Sequence, residues 1–438
     1  MRTSVLLVAI AAIFVGAGVA IAQDSTSSIS APCLDIKATA DANVADKLKA
    51  LNVEAEDLKS KSVKLPAGTQ KNAVELQLKQ IQEKLLDLVF QQECDRSDMT
   101  IQVLRGPHDP ATQWIELTTY FSTNRKATGK SAPEEFFGTE RSSDNQFGKT
   151  IVSIPTARKK GDMNLPSLWR FERNPDPAQH FVFKEVISLN TADAVSEISK
   201  AISQGKKSSV LIFVHGYNVS FEDAALRTAQ LAHDLSFPGT AMFFSWPSMG
   251  TTKGYWRDEE TVQLSEDAFD AFLDKVATLG ASEVYIIAHS MGNRLVTTVL
   301  RDRASKGKTI PNLRELMLAA PDINAEIFQQ KILPGLAALD VHRTIYASSS
   351  DVALKASKVV HDYRRVGETE GGVLIFEGYE TIDATAVAPV VRSFGHSYVV
   401  DSAKVLGDIA DTLYLRFNAD QRSLPKEGTP PQQWWILK

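Results

Sequence analysis

The sequence predicts an α/β domain with a mostly parallel central sheet and helices on both faces, preceded by an N-terminal helical hairpin. From residue 208 onward, short apolar runs alternate with amphipathic stretches. Strands that are joined through helices in this way pair in parallel. The hairpin is predicted by two heptad-like runs that flank a Pro-Ala-Gly break at residues 66–68. A chain of 438 residues is long enough for both parts.

The composition excludes several functional classes. The chain carries 48 Lys and Arg against 53 Asp and Glu, a net charge of −5, which argues against a dedicated nucleic-acid binder. Two cysteines exclude a disulfide-dense scaffold and any site built from several cysteines. The sequence has no Gly-rich phosphate loop and no cluster of residues with metal-ligand spacing, so we expect neither a cofactor nor a metal.

Residues 1–22 have the pattern of a secretory signal peptide. Arg2 precedes an apolar run over residues 5–22, which ends in an Ala-Ile-Ala cleavage motif. The pattern predicts a periplasmic or secreted protein. An uncleaved membrane anchor is the alternative, because the run has about 18 residues, the lower limit for a span.

Residues 23–98 form the predicted hairpin. Apolar residues recur at spacings of three and four in both runs, which is the seam of one helix packed on another. Cys33 and Cys94 flank the runs, and in an oxidising compartment we expect them to form a disulfide. Two free thiols or a link to another chain are the alternatives. No chemical motif lies here, so the hairpin is interpreted as structural or as a surface for a protein partner. The seam positions are Val44, Leu48, Leu51, Ala55, Leu58, Val74, Leu78, Ile81, Leu85 and Leu88.

Residues 99–418 form the predicted α/β domain, and residues 419–438 are interpreted as a C-terminal tail. Residues 126–146 are polar and predict a loop, whereas residues 261–279 predict one amphipathic helix. Ser220 followed by Asp223 predicts a capped helix start. The predicted strands cover residues 114–121, 150–154, 181–187, 210–214, 241–244, 284–288, 316–320, 344–347 and 373–376.

The chemistry is predicted at Ala288-His289-Ser290-Met291-Gly292, directly after a buried strand and before a helix. This is a nucleophile-elbow pattern with alanine in place of the first glycine. Small residues on either side let the backbone bend sharply and expose the hydroxyl of Ser290. The alternative is an ordinary strand-to-helix turn with a capping serine.

A serine nucleophile needs a base, which follows it in the chain in this arrangement. His396 lies after the last predicted strand and before a C-terminal amphipathic helix, where the base is expected. His342, at the start of a strand, is interpreted as structural or surface-exposed. His361 lies in a charged run and is interpreted as solvated surface.

The acid of the triad is expected at the end of a strand between the nucleophile and the base. Asp351 follows the strand directly before the His396 loop, which favours it. Asp322, one strand earlier, is the alternative acid, although its carboxylate can equally cap the helix near Ile327. Asp383 is a third candidate.

Backbone N–H groups are expected to stabilise the oxyanion. Met291 follows the nucleophile, and Tyr217 lies in the loop after strand 210–214, so their N–H groups are the predicted donors. His215 is interpreted as a hydrogen-bonding group rather than a second base, and His289 as orienting. Residues 250–258, with Tyr255 and Trp256, are interpreted either as a small lid or pocket wall or as a surface loop. The predicted pocket rim consists of His215, Gly216, His289 and Trp246.

These motifs together resemble the α/β-hydrolase superfamily, and more narrowly a bacterial esterase/lipase-like branch catalogued as a domain of unknown function. The resemblance covers about residues 115–415. It implies an α/β-hydrolase fold and a serine hydrolase with Ser290, Asp351 and His396, but no substrate. The motifs that carry it are residues 121–125, 147–148, 152–155, 214–218, 244–248, 288–292, 320–322, 348–351 and 395–397.

The sequence therefore predicts an exported serine hydrolase, carboxylesterase-like, that forms an acyl-enzyme from a small-molecule or lipid-like ester. The same triad serves amides and thioesters, which remain alternatives. A true lipase is a further alternative, although no long apolar insertion lies near the predicted site. A non-catalytic envelope protein that uses a hydrolase scaffold for binding is the rival from another functional class.

Overall fold

The computed structural model describes residues 113–165, 175–251, 254–351, 363–387, 398–422 and 424–438, together with residues 354 and 357 and scattered positions between 54 and 84. The described residues from Gln113 onward belong to one compact unit. The positions between 54 and 84 belong to another unit, and those that are described are helical. The predicted disulfide between Cys33 and Cys94 lies outside the described residues. Within the described part of the chain, no helix is long and apolar enough to cross a membrane.

One sheet of eleven strands organises the larger unit, in the order β10-β11-β9-β8-β7-β6-β4-β5-β1-β2-β3. Only β2 and β10 run antiparallel to the other described strands, so the mostly parallel sheet is confirmed. The strands are β1 Trp114–Ala127, β2 Phe137–Pro155, β3 Val182–Leu189, β4 Ser209–Val214, β5 Thr240–Ser245, β6 Glu283–His289, β7 Leu313–Ala319, β8 His342–Ala347, β9 Glu380–Asp383, β10 Lys426–Thr429 and β11 Gln432–Ile436.

Helices connect the parallel strands. The predicted start of the second helix is confirmed, because Ser220 and Asp223 form a complete capping box. The helices are α1 Thr191–Gln204, α2 Phe221–Asp234, α3 Tyr255–Gln263, α4 Glu266–Val276, α5 Gly292–Ser305 and α6 Ala403–Leu415. Shorter helical turns cover Pro133–Glu135, Ala325–Ile327, Phe328–Ile332, Leu333–Leu336, Thr385–Val387 and Tyr398–Asp401.

Helices cover both faces of the sheet, as strand β5 shows. Successive side chains of a strand point to opposite faces. Phe243 packs against Phe221 of α2 with ring centroids 5.5 Å apart. Its neighbour Phe244 packs against Phe269 and Phe272 of α4, at 5.1 and 5.8 Å. A strand buried on both faces is apolar throughout, which is why β4, β5 and β6 were recognisable from sequence.

The predicted loop at residues 126–146 is wrong. β1 and β2 form a long antiparallel hairpin across much of this segment, joined by a short connection. Phe137 anchors its far end, packing on Phe121 and Phe221 at 5.6 and 4.5 Å. The hairpin residues are polar because many of them face solvent, so local composition hides the strand.

The predicted strand at residues 373–376 is also wrong. That apolar run lies outside the sheet, and Phe376 packs edge-on against Phe328 at 4.8 Å. The ninth strand is Glu380–Asp383 instead, parallel to β8. The segment predicted as a tail contributes β10 and β11, and β11 pairs in parallel with β9.

The predicted helix at residues 261–279 is two helices. α3 begins at Tyr255, inside the segment that the sequence predicted as a loop, and ends at Gln263. The chain breaks at Ser265, whose hydroxyl donates to the carbonyl of Thr261 and accepts from the side chain of Asn124. A buried serine bound to neighbouring groups in this way lets the chain begin a new helix at Glu266.

The strand order reverses direction at β4. The chain passes from β4 to β5 on one side, and then to β6 on the other side. The chain therefore leaves the carboxyl ends of β4 and β6 toward opposite sides of the sheet. Ligands of open α/β sheets bind at such a switch point.

Candidate active site

Ser290 forms the sharp turn between β6 and α5, at the carboxyl end of the sheet. Its φ angle is +51°, a conformation that residues other than glycine adopt rarely and mainly at functional sites. The N–H of Ser290 donates to the carbonyl of Ala319 at 3.0 Å. The amide of Asn293 donates to the carbonyls of Ser290 and Ala319, at 2.9 and 3.1 Å. This residue, which sequence reasoning missed, fastens the elbow to the end of β7.

Two glycines bring the elbow into contact with the loop after β4. A Cβ at Gly292 would lie 2.3 Å from the carbonyl oxygen of His215. A Cβ at Gly216 would lie 2.6 Å from Cβ of Ser290 and 3.2 Å from Nδ1 of His289. The predicted site residues Ser290, Gly216 and His289 are therefore adjacent, and only glycine fits at the two contact points.

The predicted oxyanion donors lie on either side of this contact. Met291 is the buried N-cap of α5, and the first N–H groups of a helix have no acceptor within it. Tyr217 follows Gly216 and is half-buried, with its ring edge-on to Tyr255 at 5.1 Å. The two N–H groups therefore belong to the two segments that meet at Ser290.

His215 is held in one protonation state by its neighbours. Arg125 Nε can only donate, so the Ser245 hydroxyl accepts from it at 2.9 Å and directs its own hydrogen to His215 Nε2 at 3.1 Å. Nδ1 then carries the hydrogen and donates to the carbonyl of Gly216 at 2.8 Å. Burial, and secondly the charge of Arg125, hold the pKa of His215 well below its usual value. A neutral imidazole with both nitrogens engaged is a structural element, not a second base.

Trp246, predicted on the pocket rim, is fully buried. Its indole stacks on the His215 ring at 5.0 Å, and its N–H donates to the carbonyl of His215 at 2.9 Å. The side chain therefore supports His215 from within the protein.

Arg125, which sequence reasoning gave no role, lies at the centre of this network. A β-bulge precedes it in β1, and its side chain is 1% exposed. Besides Ser245, the guanidinium donates to the carbonyls of Gly138, Ser248 and Val219, at 3.1, 3.1 and 2.7 Å. Among the described residues, no carboxylate lies within 4 Å of it. Burial lowers the pKa of Arg125 to about 10, so it remains charged at neutral pH.

Asp258 of α3 holds the other end of the loop after β4. Its Oδ2 accepts from the Ser248 hydroxyl at 2.5 Å and from Asn218 N–H at 3.4 Å, and Oδ1 accepts from Met249 N–H at 2.8 Å. The Ser248 oxygen in turn accepts from Val219 N–H at 3.1 Å. Burial raises the pKa of Asp258 to about 6, although the hydrogen bonds favour the ionised form.

Asp322, the alternative acid, is fully engaged. Arg294 donates to Oδ2 at 3.0 Å, Tyr255 to the same oxygen at 2.9 Å, and Ser357 to Oδ1 at 2.7 Å. The Nε of Arg365 lies 3.3 Å from Oδ1. Burial alone would raise the pKa of Asp322, but the two guanidinium charges outweigh it and hold the pKa well below its usual range. The helix turn near Ile327 is capped by Asn324 instead.

Asp351 lies in the turn after β8 and is 1% exposed. Its Oδ1 accepts from the N–H of Leu354 at 2.9 Å. Asp383, the third candidate, bonds to Thr385 through both the N–H and the hydroxyl of that residue. His396 and His361 lie outside the described residues.

His342 is part of an ionic cluster at the amino ends of β7, β8 and β9, far from the elbow along these strands. Its Nδ1 lies 2.5 Å from Glu315 and its Nε2 lies 3.2 Å from Glu380. Burial opposes its charge, but the hydrogen bonds to both carboxylates raise the pKa of His342 to about 10. The interpretation of His342 as a structural residue agrees with this position. Across the described residues, no group of three or more side chains is arranged to hold a metal ion.

Comparison with known proteins identifies the family. Residues 190–412, just over half of the chain, match the family model described as alpha/beta hydrolase of unknown function (DUF900). The uncharacterized protein YnbC of Escherichia coli K12 is 29% identical over 202 residues, which are 44% of this chain and 31% of YnbC. The match thus spans about a third of the length of that relative.

Two esterases are among the solved structures to which the chain has a distant likeness. An esterase from Pyrobaculum calidifontis is 11% identical, over 83% of this chain and 98% of its own, with a TM-score of 0.29. An esterase of the bacterial hormone-sensitive lipase family is 9% identical, over 87% and 100%, with a TM-score of 0.32. The likeness is distant, so the fold assignment rests on the family match, the strand order and the elbow. The chain belongs to the alpha/beta hydrolase family of unknown function, DUF900.

Proposed function

We propose that this hydrolase is a serine carboxylic ester hydrolase, with Ser290 as nucleophile, His396 as base and Asp351 as acid. One observation carries the proposal. Ser290 occupies a turn with positive φ, between a buried strand and a helix, at the switch point of a parallel sheet. A strained turn at that position holds a hydroxyl where substrate and base reach it.

The proposed reaction has two steps. The Ser290 oxygen attacks the ester carbonyl while His396 takes its proton, and the tetrahedral intermediate collapses to an acyl-enzyme. The leaving alcohol takes that proton from His396. Water then attacks the acyl-enzyme with His396 again as base, which releases the acid and restores Ser290. The N–H groups of Met291 and Tyr217 stabilise the negative oxygen in both steps.

Asp351 is the better proposed acid because of what surrounds the two candidates. Asp322 already has two arginines and two hydroxyl groups on its carboxylate. An acid that balances two guanidinium charges has little capacity to stabilise an imidazolium. Asp351 follows β8, and β9 is the last strand before His396 in the chain. This is the order Ser, acid, His of the elbow arrangement.

The test is Ser290→Ala, measured with p-nitrophenyl acetate and with a fluorophosphonate that labels activated serines. We expect the wild-type protein to be labelled at Ser290, and the variant to lose label and at least about 10³-fold in rate. Ser305→Ala is the matched control, because this exposed serine ends the same helix and bonds only to the carbonyl of Asp302 among the described residues.

Two outcomes would contradict the proposal. Full turnover by pure Ser290→Ala would remove Ser290 from the reaction. A folded wild-type protein that neither turns over esters nor takes the label would favour the non-catalytic binding protein. A panel of acyl chain lengths, with matched amides and thioesters, then identifies the preferred substrate.

We also propose that the protein is exported, with cleavage after residue 22, and that Cys33 and Cys94 close the helical hairpin. Support comes from the sequence pattern alone. The predicted hairpin belongs to the first of the two units of the chain, and it is the surface proposed for a protein partner. Non-reducing peptide mapping of protein purified from the periplasm tests both points. An intact N-terminus, two free thiols or a Cys-linked dimer would refute them.

A further inference from the structure

We propose that Arg125 and Asp258 are positioning residues that fasten the loop of residues 215–219 from both ends, so that the N–H of Tyr217 is held as an oxyanion donor. The inference rests on the proposed function and adds to it the residues that keep the site ready for the tetrahedral intermediate. They lie on β1 and α3, outside the predicted triad.

The first end of the loop is held through His215. Arg125 donates to Ser245, Ser245 to His215 Nε2, and His215 Nδ1 to the carbonyl of Gly216. That carbonyl and the N–H of Tyr217 belong to one planar trans peptide, so they point in opposite directions. By fixing the carbonyl, the imidazole fixes the direction of the Tyr217 N–H.

The second end is held directly. Asn218, with φ of +57°, donates its N–H to Asp258 at 3.4 Å. Val219 donates its N–H to the Ser248 oxygen at 3.1 Å and accepts from Arg125 at 2.7 Å. Ser248 is shared, because its hydroxyl donates to Asp258 and its carbonyl accepts from Arg125. The two residues therefore restrain every backbone step from Gly216 to Val219.

The buried charge of Arg125 explains why the loop of residues 215–219 is held rigidly. The guanidinium of Arg125 has four hydrogen-bond acceptors, and they come from the β1–β2 hairpin, the loop after β4, the last residue of β5 and the segment after β5. A buried ion whose hydrogen bonds all go to fixed dipoles resists any displacement of those dipoles, and the charges of Asp258 and Asp223 also favour this ion. Oxyanion stabilisation depends on donors that do not reorganise during the reaction.

Gly216, the residue before Tyr217, lies against the elbow. Gly216 contacts Ser290 so closely that a Cβ there would lie 2.6 Å from the serine Cβ. The peptide whose orientation the network fixes is the next one along the chain. A rotation of that peptide would change the donor that faces the reacting carbonyl without displacing Ser290 itself.

The experiment compares Arg125→Lys, Ser245→Ala and Asp258→Asn with wild type. The lysine at position 125 cannot donate to all four acceptors. The alanine at position 245 breaks the chain of hydrogen bonds to His215. The asparagine at position 258 places an N–H₂ group against at least one N–H or hydroxyl donor. Active sites are counted by fluorophosphonate titration. kcat per site and KM are then measured for p-nitrophenyl acetate, together with inhibition by an arylboronic acid, whose tetrahedral adduct needs the oxyanion donors.

We expect kcat per active site to fall about 10- to 100-fold in these variants. That is less than the roughly 10²- to 10³-fold effect of losing a whole donor, because the donor is misdirected and not removed. KM should stay within about threefold of the wild-type value. The inhibition constant of the boronic acid should rise by a similar factor. Arg422→Lys is the matched control, since this fully buried arginine contacts Glu380 at the amino end of β9. It should lower the melting temperature and leave kcat per site unchanged.

Unchanged kcat per site and unchanged inhibition, with fewer active sites, would show a merely structural role and overturn the inference. If Arg125→Lys fails to fold, Ser245→Ala is the deciding variant, because it removes only one hydroxyl from the chain of hydrogen bonds between Arg125 and His215. In each of these outcomes the wild-type protein is still labelled at Ser290. Absence of labelling in wild type would overturn the proposed function and this inference together.

Discussion

The two ends of the central sheet use the same residue types to opposite effect. At the carboxyl end, Arg125 and His215 are joined through Ser245, and the histidine is neutral. At the amino end, Arg422 and His342 are joined through Glu380, and the histidine is charged. Both arginines are almost fully buried. The difference is the partner, a hydroxyl in one case and a carboxylate in the other.

The carboxyl-end network, defined as Arg125, Ser245, His215, Ser248 and Asp258, consists of hydrogen bonds that end on backbone. A cation in contact with carbonyl and hydroxyl dipoles fixes the positions of those groups, but it repels a second positive charge nearby. His215 is therefore neutral, and its pKa is depressed first by burial and then by Arg125. Such a network positions a loop while its histidine stays uncharged.

The amino-end cluster, defined as Glu315, His342, Glu380, Asp408 and Arg422, consists of ion pairs. Arg422 donates to Asp408 at 2.8 Å and to Glu380 at 2.9 Å. Burial opposes the charge of Arg422, but the surrounding Tyr346, Asp408 and Glu380 raise its pKa. Arg422 joins α6 and the chain that leads into β10 to the start of β9, and His342 links Glu380 to Glu315 at the starts of β8 and β7. The network at the carboxyl end therefore positions groups at a site, whereas the cluster at the amino end stabilises the contacts between distant parts of the chain.

The largest expected effect separates the two acids at the carboxyl end. Asp351→Asn should lower kcat by about 10³- to 10⁴-fold, because the amide can no longer hold the histidine tautomer or stabilise its charge. Asp322→Asn should cost less than about tenfold and act mainly on stability, because it leaves Arg294 and Arg365 short of a counter-charge. Rates on p-nitrophenyl acetate, normalised to folded protein, test this pair. A dead Asp322 variant beside a near-normal Asp351 variant would reverse the assignment.

The next effect concerns stability at the amino end. Arg422→Met leaves the buried carboxylate of Asp408 without its cation and leaves Glu380 with His342 alone, which should reduce the free energy of unfolding by about 3–5 kcal/mol. Denaturant unfolding measures it, and kcat per labelled site should stay at the wild-type value. Arg301→Met is the control, because its pair with Asp302 is partly exposed and should cost less than about 1 kcal/mol. Equal costs at the two positions would show that the amino-end cluster has no special strength.

Those features of the fold that local pattern decides could be predicted from the sequence. The runs of β4 and β6 are apolar because both faces are buried, and Ser290 lies between a strand and a helix in an unmistakable order. The capping box at Ser220 is equally local. By contrast, β9 contains two charged residues in four and pairs with strands distant in the chain, so residues 373–376 appeared the better strand.

The residues that support the site could not be predicted either, because their partners are also distant in the chain. Arg125, Ser245 and Asp258 are separated by 120 and 13 positions in the chain, and they meet only because β1 pairs with β5. A charged residue in a polar stretch is usually solvent-exposed. Nothing local distinguishes Arg125, which is buried, from Lys126, which is exposed. The place of Arg125 in the motif of residues 121–125, which contributes to the family resemblance, was the only available signal.

The smallest expected effect is in the pH dependence of stability, where the two histidines should act with opposite sign. The pKa of His342 is about 10 in the folded protein against about 6.5 when unfolded. Its contribution to stability is therefore complete below pH 6.5 and is lost as the pH rises toward 10. For His215, the folded pKa is depressed, so the folded protein loses stability as the pH falls below about 6.5.

This prediction is tested by the melting temperatures, between pH 5 and 10, of the wild type, His342→Gln and His215→Asn. Asparagine is chosen at position 215 because it retains an N–H₂ donor near the carbonyl of Gly216. The difference between wild type and His342→Gln should be largest near pH 6 and shrink toward pH 10. The difference between wild type and His215→Asn should instead shrink as the pH falls from 7 to 5, because only the wild type carries a histidine that resists protonation. Parallel curves for the two variants would mean that both histidines have the same charge state. The contrast between a hydroxyl partner and a carboxylate partner would then not govern how this sheet uses its buried histidines.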